Sequence, residues 1–150
     1  EGLLERSRIY ATDINQSVLE QAKRGIFSLA SMQEYTTNYL RAGGKRAFSE
    51  YYVAKYDGAR FDPSLVDNVL FAQHDLAVDR SFAEFNVIFC RNVMIYFDAN
   101  LKRRVVSLFT ESLVHFGLLA LGRKESLGDA PEKGRYEPLV SEERIFRRLP

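Results

Sequence analysis

The sequence predicts an α/β domain built on a mostly parallel sheet, and three observations carry that prediction. Apolar, strand-like runs at 8–12, 69–73, 85–90 and 117–122 alternate with longer segments of helical spacing. Their strands are apolar along their length, as expected where helices cover both faces of a sheet. Finally, the run Val87 to Phe89 stops abruptly at the polar pair Arg91-Asn92, and the aromatic pair Tyr96-Phe97 follows. In open α/β sheets, ligands sit just past the carboxyl ends of strands.

In chain order, the strand ending at Thr12 gives way to Asp13, and a helix over Asn15 to Arg24 carries apolar Val18, Leu19 and Ala22. Asp13 or Asn15 can cap its start, and Gly25 its end. A second amphipathic piece spans roughly Leu29 to Leu40. From 48 to 69 the character changes. Tyr51, Tyr52, Val53 and Tyr56 are strand formers, and Asp57-Gly58 is a hairpin turn signal, so 48–69 reads as a small β subdomain within the larger one. Strand Val69 to Gln73 closes at His74-Asp75-Leu76. Buried strand Phe85 to Cys90 precedes a helix over Ala99 to Phe116. After Gly117–Gly122, a loop containing Pro131 leads to a closing antiparallel pair at 136–139 and 143–148.

At 150 residues and 46% apolar content, the chain can bury one core. A net charge of +1 gives no field of the kind that nucleic-acid backbones require. The clusters Lys102-Arg103-Arg104, Arg123-Lys124 and Arg147-Arg148 read as solvated ends of elements. A single cysteine fits a reducing compartment. No apolar stretch reaches the roughly 20 residues that span a bilayer, and no basic-then-apolar leader opens the chain. A cytoplasmic protein without membrane insertion is the expectation. Two histidines and one cysteine are a poor stock for a metal site, so none is assigned.

The candidate site residues each have a plain alternative. Asp13 can accept from both ribose hydroxyls of a nucleotide-like cofactor, or simply cap a helix. Asp75 can accept from an adenine amine while Leu76 covers a ring face, and His74 reads as a turn residue. Singly, Arg91 reads as a surface ion pair, Asn92 as a strand-end turn and Tyr96 as a core aromatic. Gathered at one strand end, they point to a ligand.

ATDIN at 11–15, FAQHDL at 71–76 and IFCRNVMIYF at 88–97 follow in the same order as in a known family. Together they resemble the S-adenosylmethionine-dependent chemoreceptor methyltransferases of the CheR type, from about Ile9 to about Leu127. The resemblance implies a Rossmann-like methyltransferase sheet with an antiparallel last strand. It implies S-adenosylmethionine as cofactor, S-adenosylhomocysteine as product, and glutamate side chains of methyl-accepting chemotaxis receptors as acceptors. By resemblance, Asp13, Asp75, Leu76, Arg91 and Asn92 bind the cofactor. Tyr96 is the catalytic candidate, positioning the methyl donor or the incoming carboxylate. Where this chain has Asp75, the family commonly has asparagine. Aspartate keeps the acceptor but loses the donor to a ring nitrogen. In some members a three-stranded insert docks a receptor's C-terminal tail by strand addition.

The resemblance also implies parts that are not seen. Family members carry a glycine-rich turn and an N-terminal helical domain upstream of the ATDI strand, whereas this chain starts eight residues before Ile9. Gly43-Gly44 follows a helix and is no substitute. The expectation is a methyltransferase domain truncated at its N-terminus, inactive alone, with an exposed sheet edge that favours dimerisation or swapping. Two rivals remain open. One is a degenerate fold serving only as an interaction module, and the other is a methyltransferase acting on a different acceptor.

Overall fold

In the computed structural model, residues 3–150 are described. The chain divides into two compact units, one ending at His74 and one running from Asp75 to Pro150.

The first unit opens with strand β1 (Ile9–Asp13), helix α1 (Gln16–Arg24) and short strand β2 (Ile26–Ser28). Helix α2 (Met32–Arg41) follows, then the hairpin strands β3 (Tyr52–Lys55) and β4 (Gly58–Phe61), and β5 (Val69–Gln73). β1 and β5 pair in parallel, with Asp13 opposite Gln73 at their carboxyl ends. Helix α1 packs on both strands. Asn15 caps this helix, its Oδ1 accepting the Ser17 N–H at 2.9 Å, and Gly25 ends it at φ 62°. A left-handed residue stops a helix there, and glycine adopts it without steric cost.

β2, β4 and β3 form a three-stranded antiparallel sheet, so the 48–69 stretch supplies two strands and Ile26–Ser28 the third. Three residues are too few to show a period, and nothing in the sequence marked β2. The hairpin also turns one residue earlier than Asp57-Gly58 suggested. Its loop is Tyr56-Asp57, with Tyr56 at φ 54°, and Gly58 already pairs with Lys55 and Ser28. Gly58 lies in the central strand, where an added Cβ would sit 3.4 Å from Ile26 Cγ2. Rings of Phe27, Phe48, Tyr52 and Phe61 pack on one another at 5.4–5.8 Å between centroids. Such contacts hold a small sheet that has little other core.

The second unit contains β6 (Phe85–Cys90), α3 (Ala99–Ser112), β7 (Leu113–Leu121), β8 (Tyr136–Val140) and β9 (Ile145–Arg148). Its sheet order is β6-β7-β9-β8, with β6 and β7 parallel and β9 antiparallel to both its neighbours. The core joins Cys90, Val105, Val106, Phe109, Leu119 and Leu121.

Two expectations need correction. The helix expected to reach Phe116 stops at Ser112, and β7 begins at Leu113. Leu113 and Val114 fit either period, but Phe116 stands at φ 65°, which no right-handed helix tolerates. Nor is β6 buried along its length. Cys90 is buried and Ile88 half-buried, while Val87 and Phe89 are exposed, Phe89 at 76%. Within this unit the helix covers one face of the strand, so side chains alternate in and out.

Basic residues expected to be merely solvated also have partners. Arg104 Nη2 donates to the Val78 carbonyl at 2.9 Å, Arg103 pairs with Asp129 at 2.6 Å, and Arg147 pairs with Glu137. No helix among the described residues is long and apolar enough to cross a membrane.

Candidate functional site

In the first unit the candidate residue is Asp13, the last residue of β1. Asn15 takes the capping role, which leaves Asp13 out of the helix terminus. Asp13 Oδ1 accepts the Asn15 N–H at 2.8 Å, and Oδ2 takes no hydrogen bond among the described residues. The turn is fastened from the neighbouring strand. Gln73 Nε2 donates to the Ile14 carbonyl at 2.8 Å, and the His74 N–H donates to the Asp13 carbonyl at 3.1 Å. The result is a half-buried carboxylate with one oxygen set locally and the other open.

A separate cleft of about 370 Å³ in this unit is lined by Phe27, Tyr35 and Phe61, with Lys23, Arg24 and Arg60 among its other residues. Nothing in the sequence had grouped these side chains, because they come from distant segments.

In the second unit, Asp75 and Asp79 fold the chain back on itself. The Asp75 N–H donates to Asp79 Oδ2, and Asp75 Oδ1 accepts the Ala77 N–H, both at 2.8 Å. Asp75 is therefore an acceptor already half committed to its own turn. Leu76 packs partly on the core, so only part of its surface is open.

The segment after β6 is the most constrained part of this unit. Asn92 adopts φ 61°, a left-handed conformation that asparagine takes more readily than most residues. Met94 is buried at 1% exposure and anchors the segment, whereas Arg91 and Asn92 are exposed and Tyr96 is 82% exposed. Tyr96 is thus not a core aromatic. Arg91 makes no salt bridge among the described residues, though its charge reaches Glu143. The Glu143 carboxyl is held below its usual range chiefly by a hydrogen bond from Arg123.

Sequence reading missed the residue that fixes this loop. Glu125 is 4% exposed, and its carboxylate accepts four backbone N–H groups. Oε2 takes Asn92 at 2.9 Å and Gly122 at 2.6 Å, while Oε1 takes Val93 at 2.9 Å and Met94 at 2.7 Å. Each oxygen serves two donors. The only signal was an acid between Arg123-Lys124 and the buried Leu127, which reads as one more charge in a turn. Beside it, burial and then the Glu125 charge push the Cys90 thiol up to about 12.

Arg91, Asn92 and Tyr96 thus share one rigid loop, Asp75 and Leu76 belong to the same unit, and Asp13 ends a strand of the other. In the first unit an open carboxylate oxygen can accept from hydroxyl groups, and in the second the polar side chains stand at a strand end. Among the described residues, no group of three or more His, Cys, Asp or Glu side chains could hold a metal ion.

Comparison with known proteins gives a consistent picture. Residues 2–141 match the family described as CheR methyltransferase, SAM binding domain. Cher3 of Pseudomonas putida is 55% identical over 148 residues, covering 99% of this chain and 54% of that protein. Chemotaxis protein methyltransferase 2 of Vibrio cholerae is 33% identical, covering 79% of this chain and 40% of that protein. The chain thus spans about half the length of these relatives. Among solved structures, the N-methyltransferase NodS of Bradyrhizobium japonicum shares the fold, with a TM-score of 0.51 over 95% of this chain and 74% of that one, at 12% identity. The fold is a Rossmann-like α/β methyltransferase fold with a mixed sheet.

Proposed function

This chain belongs to the CheR methyltransferase family, and from that premise we propose that it serves S-adenosylmethionine-dependent methyl transfer to glutamate side chains of methyl-accepting chemotaxis receptors. The observation that carries this reading is the Arg91–Tyr96 loop at the end of β6, held by Glu125 with its polar side chains exposed, and the reading asks of it neither a nucleophile nor a base.

The acceptor needs neither of those groups. A glutamate carboxylate is ionised at neutral pH, with an unperturbed pKa of about 4.3. Bound S-adenosylmethionine supplies a methyl group on a sulfonium, open to in-line displacement. What the protein must provide is position. In this reading Asp13 accepts from the ribose through its open oxygen, and Asp75 accepts from the adenine amine beside Leu76. Arg91 and Asn92 hold the cofactor's remaining polar groups. The Tyr96 hydroxyl sets the approach of the acceptor. It neither gains nor loses a proton, so it serves as a positioning group.

A receptor partner places the protein in the cytoplasm. The basic residues Lys23, Arg24 and Arg60 around the aromatic cleft favour an acidic receptor tail laid beside the three-stranded sheet. The same reading includes dimerisation or strand exchange through β1 or β6, each of which stands at the end of its sheet.

Titration with S-adenosylhomocysteine by calorimetry tests the assignment. Asp13→Ala is expected to abolish binding, and Tyr96→Phe to leave it within about twofold while lowering receptor methylation. A folded full-length protein that binds receptor but neither cofactor nor product is an interaction module instead, and the enzymatic reading is then wrong.

A further inference from the structure

We infer that Glu125 is a positioning residue for the loop that carries Asn92 and Tyr96. The functional part of this inference rests on the methyltransferase reading above. The geometric part does not. β6 and β7 run parallel with Cys90 opposite Leu121, so their carboxyl ends lie side by side. Gly122 follows Leu121, and the Glu125 N–H donates to the Gly122 carbonyl at 2.8 Å, turning the acid back toward the strand ends. From there its carboxylate takes three consecutive N–H groups of the neighbouring loop, Asn92, Val93 and Met94, together with that of Gly122.

The symmetry of these contacts makes the requirement specific. Because each oxygen faces two donors, a glutamine amide in either orientation turns its NH₂ toward two N–H groups. Glu125→Gln therefore keeps the volume and loses half the clamp. Glu125→Asp is shorter by one methylene, about 1.5 Å, and cannot reach both groups at once. The position is also guarded by Gly122, where a Cβ would lie 2.6 Å from Glu125 Oε2 and 2.8 Å from Asn92 Oδ1. With the clamp gone, nothing else bonds the N–H groups of Asn92 and Val93 among the described residues. The left-handed Asn92 then relaxes, and Arg91, Asn92 and Tyr96 lose their common orientation.

The test has two arms. Amide hydrogen exchange on the wild-type chain should show Asn92 and Val93, on an exposed loop, protected like the strand amides of β7. In Glu125→Gln that protection should fall at the pair of amides that meets the NH₂, Asn92 with Gly122 or Val93 with Met94, while β9 keeps its own. Unprotected Asn92 and Val93 in the wild type would overturn the inference without any variant. The second arm measures S-adenosylhomocysteine affinity and methyl transfer in the full-length gene product. Glu125→Gln should weaken binding about tenfold and lower kcat/KM by about 100-fold.

Combining Glu125→Gln with Tyr96→Phe should cost little more than Glu125→Gln alone, because both act through one loop. Leu119→Ala, a core truncation in the same unit, should leave binding unchanged below its melting point. Equal losses in Leu119→Ala and Glu125→Gln, or wild-type binding in Glu125→Gln, would sink the positioning role. A wild-type protein that binds no product defeats the methyltransferase reading. The exchange data then decide Glu125 by themselves: local loss supports the clamp, and uniform or absent change refutes it.

Discussion

Gly122→Ala puts the clamp under pressure from the opposite side. Gly122 does not have a positive φ, so alanine brings no backbone strain, and its whole cost is contact. The added Cβ meets Glu125 Oε2 at 2.6 Å, Asn92 Oδ1 at 2.8 Å and Asn92 N at 2.9 Å, all inside normal van der Waals separation. Either the carboxylate withdraws or the Asn92 loop moves. Withdrawal weakens charge-assisted hydrogen bonds worth about 1.5–3 kcal/mol each, and overpacking alone costs about 1–3 kcal/mol. A loss of about 3 kcal/mol is expected. With a urea m-value of about 2 kcal/mol/M, the midpoint should fall by about 1.5 M at unchanged slope. Cys90 is the sole cysteine and is buried next to the loop, so urea-dependent labelling of its thiol reports this unit alone. Gly134→Ala is the control. A Cβ there meets nothing within 4 Å, so its change should stay within about 0.5 kcal/mol. If Gly122→Ala also falls within that margin, the close packing around Glu125 is not what fixes the loop.

Three further outcomes are expected. Thr110 Oγ1 donates to the Val106 carbonyl at 2.8 Å, so the Tyr136 hydroxyl, 2.9 Å away, must donate to Thr110. Tyr136→Phe should then cost about 1 kcal/mol, and Thr110→Val about 2 kcal/mol because it strands a buried hydroxyl, both read by urea melts. Cys90, whose thiol is raised from 9.0 to about 12 by burial and then by Glu125, should at pH 8 alkylate at least about a thousandfold more slowly native than unfolded. Since the unfolded thiol ionises near 9 and the folded one near 12, this contribution to stability is complete below pH 9 and declines as pH rises from 9 to 12; a Cys90→Ala variant that shows the same decline would contradict this. Asn15→Ala, which removes the Oδ1 cap on the Ser17 N–H, should cost about 1 kcal/mol and loosen the Asp13 turn, seen as faster exchange at Ser17.

The strands that position candidate site residues were legible because their signals are local. The expected 69–73 and 85–90 agree with β5 and β6 residue for residue, and the polar break at Arg91-Asn92 falls where β6 ends. What could not be read depended on partners. β2 exists because Ile26–Ser28 lies beside β4, and no feature of three residues says so. Helix α3 stops at Ser112 because Leu113 is already extended, at ψ 141°, and pairs with Phe85 of β6, although Leu113 and Val114 continue the helical spacing. Glu125 was invisible for the same reason. Three of its four donors lie 31–33 residues earlier in the chain, so only the register of β6 against β7 makes it a ligand of that loop. Asp13 shows the opposite case. Two candidates could cap α1, and the structure assigns the cap to Asn15, which removes the competing explanation for Asp13.

The clamp also limits what the strand-end loop can bind. Successive backbone N–H groups around a left-handed residue form a concavity that attracts anions, the arrangement that many phosphate sites use. Here the protein's own carboxylate fills that concavity, with Asn92, Val93 and Met94 all donating inward to Glu125. No amide of that trio remains to stabilise a phosphate or an oxyanion. In the proposed reading, recognition at this strand end falls to the side chains of Arg91, Asn92 and Tyr96, and the buried Glu125 beneath them is negative. Such a loop is poorly suited to a pyrophosphate cofactor, which would meet repulsion and find no free donors. It is well suited to a ligand whose reactive centre carries positive charge, as a sulfonium does. A dinucleotide competing with S-adenosylhomocysteine for this site would break that logic, because it would require the Glu125 donors to be released.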